Sequence, residues 1–214
     1  MEQEIRNLNI NYNVNEENRI VEGRAIPFNV WSPNREGFRE RIAPEAVEGL
    51  IDNNQDIFML YNHDKSKGFL ARNNKGKGTL DIEVREDGVY FSFKAKKDNL
   101  SKYVFERLVS GELDEMSWAF TVADDVWEKA PDGVYERTIT RFAGLYDFSI
   151  VDNSYYGISN AVGCKRFAEI QEQERIENEK RIAEEEAKAE EEKKQQIKEY
   201  YDKIKDDYKD ILNK

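Results

Sequence analysis

Among 214 residues there is one cysteine, Cys164, and one histidine, His63. A single cysteine excludes an intramolecular disulfide framework and suits a reducing compartment. One cysteine and one histidine cannot supply the usual ligand set of a structural zinc site, so no such site is expected. Cys164 reads as a small, half-buried residue near the end of a folded body. No stretch approaches the ~20 apolar residues that span a bilayer. The first residues, MEQEIRNLNINYNV, lack a basic region followed by an apolar run. The expectation is a chain kept in the cytoplasm, with no membrane partner.

Charge is abundant and uneven. The chain holds 44 acidic and 33 basic residues, a net charge of −11. From Phe167 to Lys214 there are 16 acids and 11 bases, so this tail carries −5 and residues 1–166 carry −6. Phosphate backbones repel such a chain, which leaves nucleic acid out as a direct partner and suits basic peptides or basic assembly partners.

Residues 1–166 read as strand-rich. Ile5 to Val14 alternates, with Leu8, Ile10, Tyr12 and Val14 on one side and asparagines on the other, the period of a half-buried strand. Arg19 to Phe28 is its expected partner. Pro44 to Asn53 reads as a short helix, because Pro44 suits a first turn and Ala46, Val47 and Leu50 form a stripe. Ile57 to Tyr61 is an apolar strand leading into Asn62-His63-Asp64. Two alternating runs, Gly78 to Arg85 and Gly88 to Ala95, meet at a hairpin signal, Glu86-Asp87-Gly88. Lys102 to Leu108 has helical spacing and Gly111 is placed to end it. Met116 to Val122, Gly133 to Thr140 and Leu145 to Val151 read as three further strands. The fold class expected is α+β, a mainly antiparallel barrel or closed sheet with flanking helices.

Composition changes at Phe167. From there to Lys194 the chain is dense in Glu, Lys, Arg, Gln and Ala without Gly or Pro, and Glu/Lys pairs recur at helical spacing. A charged helical tail over residues 167–214 follows. Near its end Ile197, Tyr200, Tyr201, Ile204, Tyr208 and Ile211 make an apolar stripe that needs a partner.

His63 follows an apolar strand, where imidazole is the side chain best matched to proton transfer near neutral pH. Ser117 lies in GELDEMSWAF, between an acidic loop and an apolar run; its hydroxyl is a weak nucleophile until a base takes its proton. Taken alone, His63 reads more readily as a structural or surface residue and Ser117 as a polar residue at a strand start.

Five blocks, in order, resemble the prohead serine proteases of tailed phages, relatives of the herpesvirus assemblins. Gly23-Arg24-Ala25-Ile26-Pro27-Phe28 is similar to the opening G-x-A-x-x-F strand. Arg41-Ile42-Ala43-Pro44 is similar to an E-x-I-x-P-G-A-F region, with Glu45 and Val47 in place of Gly and Phe. Tyr61-Asn62-His63-Asp64 resembles the block of the catalytic histidine. Gly111 to Phe120 resembles G-x-x-x-x-M-S-F-G-F, whose serine is the nucleophile. Leu145 to Val151 resembles L-x-E-V-S-x-V with Asp147 in place of Glu, and Asn153-Ser154-Tyr155 stands where Pro-Ala-Tyr is usual. The resemblance covers Arg19 to Tyr156.

The resemblance implies a serine endopeptidase on an assemblin-like barrel, with Ser117 as nucleophile, His63 as base and no metal or cofactor. Assemblins use a second histidine, which this chain lacks, so the group orienting His63 is expected to be a carboxylate or to be missing. Asp147 is the choice and Asp64 the alternative, while a backbone amide with Arg137 or Arg141 is the expected oxyanion donor set. The implied substrates are the major capsid protein and scaffold segments inside the assembling prohead in the host cytoplasm, together with the protease itself and some self-association. The rival is a non-catalytic capsid assembly or scaffold module that keeps the fold.

Overall fold

A computed structural model of the chain describes residues 2–9, 12–34, 37–51, 55–152 and 161–212, with backbone alone at 7–9, 161–162 and 201–212. The side chains of Leu8, Ile10, Tyr201, Ile204, Tyr208 and Ile211, and the segment from Asn153 to Tyr156, lie outside the described residues. The chain divides into two compact units, Met1–Cys164 and Lys165–Lys214.

The first unit is α+β and built from two sheets. Its strands are β1 (Glu4–Asn9), β2 (Tyr12–Asn15), β3 (Ile20–Pro27), β4 (Phe38–Ile42), β5 (Asp56–Tyr61), β6 (Ala71–Asn74), β7 (Lys77–Gly78), β8 (Leu80–Arg85), β9 (Gly88–Lys94), β10 (Glu115–Lys129) and β11 (Tyr135–Val151), with helix α1 (Asn99–Ser110) between β9 and β10. The larger sheet runs β1-β10-β11-β5-β6-β7, with β4 also paired to β11; the smaller runs β2-β3-β9-β8. Neither sheet closes on itself among the described residues, so two open sheets replace the expected barrel.

The physical reason lies at the N-terminus. The alternating run Ile5 to Val14 is two strands rather than one: β1 pairs with β10, whereas β2 pairs with β3. Each sheet thus gains its own edge strand. The three strands expected after Met116 are two long ones, because β11 continues through Gly144 by shifting its register against β10. Such bulges absorb an extra residue and re-aim the side chains beside it. Pairing is also less antiparallel than expected, since both β4 and β5 run parallel to β11.

Local chemistry accounts for the elements. Val89, Phe91 and Phe93 are buried at alternate positions of β9 and pack with Met59, Phe120 and Phe148 of the other sheet in one core. Helix α1 starts where the Asp98 carboxylate accepts the Ser101 amide (2.9 Å) and stops at Gly111, whose φ of 74° suits glycine. It adds Val104, Phe105 and Leu108 to the core. Pro44–Val47 is a single 3-10 turn, shorter than the expected helix. The second unit belongs to helix α2 (Ala161–Leu212), which begins six residues before the compositional change at Phe167. Its solvated faces carry pairs such as Arg175 with Glu172 and Glu179.

A buried charge cluster ties four strands of the larger sheet together. The Arg137 side chain, 1% exposed, donates to both Glu4 carboxylate oxygens (2.8 and 2.9 Å), to Glu40 (3.2 Å) and to Asp125 (2.8 Å). Arg6 donates to Glu4 (2.6 Å) and, through Nε and Nη2, to Glu40. These residues come from β1, β4, β10 and β11. Burial pushes the Glu4 and Glu40 carboxyls upward, but hydrogen bonds and charge from Arg137 and Arg6 outweigh it and hold both below the ordinary range.

A carboxyl lowered on folding stabilises the protein at pH values above its unfolded pKa, about 4.3 for Glu, and loses that contribution as pH falls through the folded value. Unfolding free energy measured by denaturant titration should therefore drop as pH is lowered from about 5 toward 3. Arg137→Met leaves three buried carboxylates short of countercharge and should cost about 3–5 kcal/mol at neutral pH. An unchanged denaturation midpoint in that variant would show that the cluster does not hold the strands.

Candidate active site

Strand β5 runs parallel to β11, with Phe58 opposite Asp147 and Leu60 opposite Ser149. The chain then turns sharply: Asn62 and His63 both adopt left-handed backbone, with φ of 54° and 56°. Asn and His tolerate this region better than most residues, and consecutive use of it stores strain of the kind that collects at functional sites. The turn is held from β11. Asn62 donates its N–H to the Ile150 carbonyl (3.0 Å), and the Asn62 side chain accepts the Asp152 amide (3.2 Å). The Tyr61 hydroxyl donates to Asp152 (3.0 Å), and burial together with Tyr103 and Asp152 pushes that phenol upward, keeping it a donor.

The turn brings the His63 ring back beside Asp147. Nδ1 lies 2.5 Å from Asp147 Oδ1, and Nε2 lies 2.7 Å from Ser117 Oγ. Ser117 reaches this point because β10 pairs antiparallel with β11 and sets Ser117 opposite Ser149 and Ala119 opposite Asp147. Alternate residues of a strand share a face, so Asp147 and Ser149 stand together on β11. Ser117 has no exposed surface and Asp147 is buried, while the His63 side chain is partly exposed.

The other expected groups fall elsewhere. Asp64 accepts from the Ser66 amide (2.9 Å) and hydroxyl (2.5 Å), which hold its carboxyl below the usual range; it caps the turn Lys65–Lys67 and pairs with Lys67 (3.4 Å) rather than with the ring of its neighbour. Arg137 sends all three guanidinium nitrogens into the buried cluster, and exposed Arg141 pairs with Asp124 at 2.6 Å. Both arginines are thereby committed to carboxylates, which corrects their reading as oxyanion donors. Sequence reasoning gave no role to Ser149. It is fully buried, donates to Asp147 Oδ1 (2.8 Å) and accepts the His63 N–H (3.1 Å). The signal that would have found it is its position two residues beyond Asp147.

A groove of about 570 Å³ opens over His63 and Asp147, walled by Ile5, Lys65, Thr121 and Tyr146. Tyr146 sits at the register shift between Ala119 and Phe120, its hydroxyl 3.0 Å from Thr121 Oγ1. Its ring fits because residue 144 is glycine: a Cβ there would meet Tyr146 Oη at 2.7 Å and Cζ at 2.9 Å.

Such a set can deprotonate a serine hydroxyl while a carboxylate steadies the imidazolium, which is the chemistry of acyl transfer. The family model for caudovirus prohead serine proteases matches residues 6–173. No curated protein matches the chain. Among solved structures, the bacteriophage T4 capsid assembly protease, gp21, is similar at 10% identity and a TM-score of 0.40, over 72% of this chain and 99% of that one.

Gly144→Ala tests how the groove wall is built. Only the tip of a flexible side chain must move, so stability should stay within about 1 kcal/mol of the parent. A crystal structure of the variant should show the Tyr146 ring displaced and its hydroxyl out of reach of Thr121. An unmoved ring would mean that Gly144 does not make its room.

Proposed function

Because the chain belongs to the caudovirus prohead serine protease family, we propose that it is a Ser-His-Asp endopeptidase that cuts capsid and scaffold proteins inside an assembling phage head. The observation that carries this reading is the His63 ring spanning Asp147 at 2.5 Å and Ser117 at 2.7 Å. In the proposed mechanism Ser117 Oγ attacks the scissile carbonyl as His63 Nε2 takes its proton. His63 then returns that proton to the leaving amine, and the acyl-enzyme is hydrolysed by a water that His63 activates in turn. Asp147 accepts from Nδ1–H, which keeps Nε2 free to act as a base and stabilises the imidazolium. The acid stands in place of the second histidine of the assemblins, and the likeness to them is part of the same proposal, carried by the order of the motif blocks. No step calls for a metal or a cofactor.

The substrates proposed are the major capsid protein, scaffold segments and the protease itself, cut within the prohead in the host cytoplasm. Helix α2 is the proposed means of entry. Ile197 and Tyr200 on it are 57% and 64% exposed, within a run otherwise dominated by charge, so they offer an apolar surface to scaffold segments. No described helix is long and apolar enough to cross a membrane.

Four tests address the reading. Ser117→Ala and His63→Ala should each abolish cleavage of co-expressed capsid protein to a similar extent, because the pair acts as a unit. Residual activity above about 1% in Ser117→Ala would remove it as nucleophile. Asp147→Asn should lose about 10²- to 10⁴-fold while Asp64→Asn stays near the parent, and the reverse order would exchange their roles. A fluorophosphonate should label Ser117 alone, and labelling independent of His63 would argue for a non-catalytic module. Ile197→Glu with Tyr200→Glu should reduce the protease count per shell without changing peptide cleavage. Parent-like incorporation would end the recruitment proposal.

A further inference from the structure

The carboxylate of Asp147 and the ring of His63 share a neighbour that the mechanism leaves unused. Ser149 has no exposed surface, and its hydroxyl has one proton and two lone pairs to place. The proton goes to Asp147 Oδ1 at 2.8 Å, the same oxygen that faces His63 Nδ1. A lone pair accepts the backbone N–H of His63 at 3.1 Å, and Oγ also lies 3.1 Å from Nδ1. With its proton spent on the carboxylate, Ser149 turns only lone pairs toward the ring. Nδ1 therefore faces two acceptors and must carry the hydrogen.

Two costs of the site meet at this one atom. A buried carboxylate can rotate and present either oxygen, and each unpaired oxygen would be expensive. The left-handed backbone at His63, φ 56°, is strained and persists only where its surroundings over-determine it. Ser149 fixes the oxygen and anchors the strained residue from the same strand. Asp64, Lys65 and Tyr61 do not substitute for it: Asp64 is bound to Ser66, Lys65 Nζ rests over the Phe58 ring at 4.1 Å, and the Tyr61 hydroxyl is given to Asp152.

We infer that Ser149 is a positioning residue: its hydroxyl locks the Asp147 carboxylate and the His63 turn into one arrangement, so that the imidazole is held ready with its proton on Nδ1. This rests on the protease reading above for its catalytic consequence, but not for its structural one. It makes no contact with substrate and forms no bond during the reaction.

The test uses the full chain. His63 is the only histidine, so the ring N–H resonance of ¹⁵N-histidine-labelled protein belongs to it without further assignment. In Ser149→Ala, solvent exchange of the Nδ1–H should be about fivefold to tenfold faster, the factor for one ordinary hydrogen bond lost. Amide exchange in β9 and β11 should stay parent-like, which a general loss of stability would not allow. With a peptide substrate kcat should fall roughly tenfold to hundredfold and KM stay within about twofold. Should the alanine variant fail to fold, Ser149→Cys keeps the volume and weakens the donor, and is read by the same criteria. Parent-like Nδ1–H exchange overturns the inference, and so does a kcat within twofold of the parent. Ser117→Ala measured alongside separates the two ideas: if it cleaves like the parent, the protease reading fails, while the exchange result still decides Ser149.

Discussion

Strand β11 pairs with β10 on one side and with β4 and then β5 on the other, and the site depends on that double pairing. Antiparallel register against β10 sets Ser117 beside Ser149, one same-face step from Asp147. Parallel register against β5 carries the chain past Phe58 and Leu60 in the same direction as Asp147 and Ser149. A strand that simply continued would take residue 63 beyond the end of β11. Two left-handed residues reverse it, and the imidazole returns over the pair it has just passed. A slip of one residue in either ladder would turn Ser117 or the Asp147–Ser149 face away. The three side chains meet because two registers and one turn agree.

The buried charge cluster guards one of those registers. Glu4 and Arg6 lie on β1, Asp125 on β10 and Arg137 on β11, so the ion pairs join the strand that carries Ser117 to neighbours on both sides. A buried ion pair is weak evidence for net stability, because desolvation offsets much of the attraction. Its value here is specificity. Five hydrogen-bond donors in a planar fork accept few arrangements of carboxylates. A shifted β1 would leave Glu4 without Arg137, and buried carboxylates without partners are costly.

What the sequence disclosed follows from which forces are local. The hairpin at Glu86-Asp87-Gly88 and the end of α1 at Gly111 were legible because turn chemistry lies within a few residues. His63, Ser117 and Asp147 came together as candidates through the order of motif blocks, since nothing in the chain near any one of them refers to the others. Alternation from Ile5 to Val14 showed two faces but not which sheet each half would join, and so one strand was expected where there are two. Parallel pairing of β4 and β5 leaves no local trace at all. Arg137, like Arg141, looks available as an oxyanion donor from the sequence because its partners are distant: Glu4 is 133 residues away and Glu40 is 97. Ser149 was overlooked for the opposite reason, as a serine in a strand reads like any polar residue until its face is known.

If an acid orients the base, as proposed for Asp147, that sets what the protein must provide. An imidazole presents a ring nitrogen in a fixed plane, whereas a carboxylate presents two like oxygens on a rotating bond. Held in a buried place, that carboxylate needs a donor for the oxygen facing the base, and the donor must come from a rigid element. The residue two positions along the same strand satisfies both needs, since it shares the face of Asp147 and its backbone is fixed by the sheet. Its hydroxyl can also accept, which the neighbouring turn requires because a left-handed residue points its N–H toward β11. A side chain that only donates would leave the His63 amide unpaired; one that only accepts would repel Asp147. At this position a hydroxyl meets both demands with a single atom.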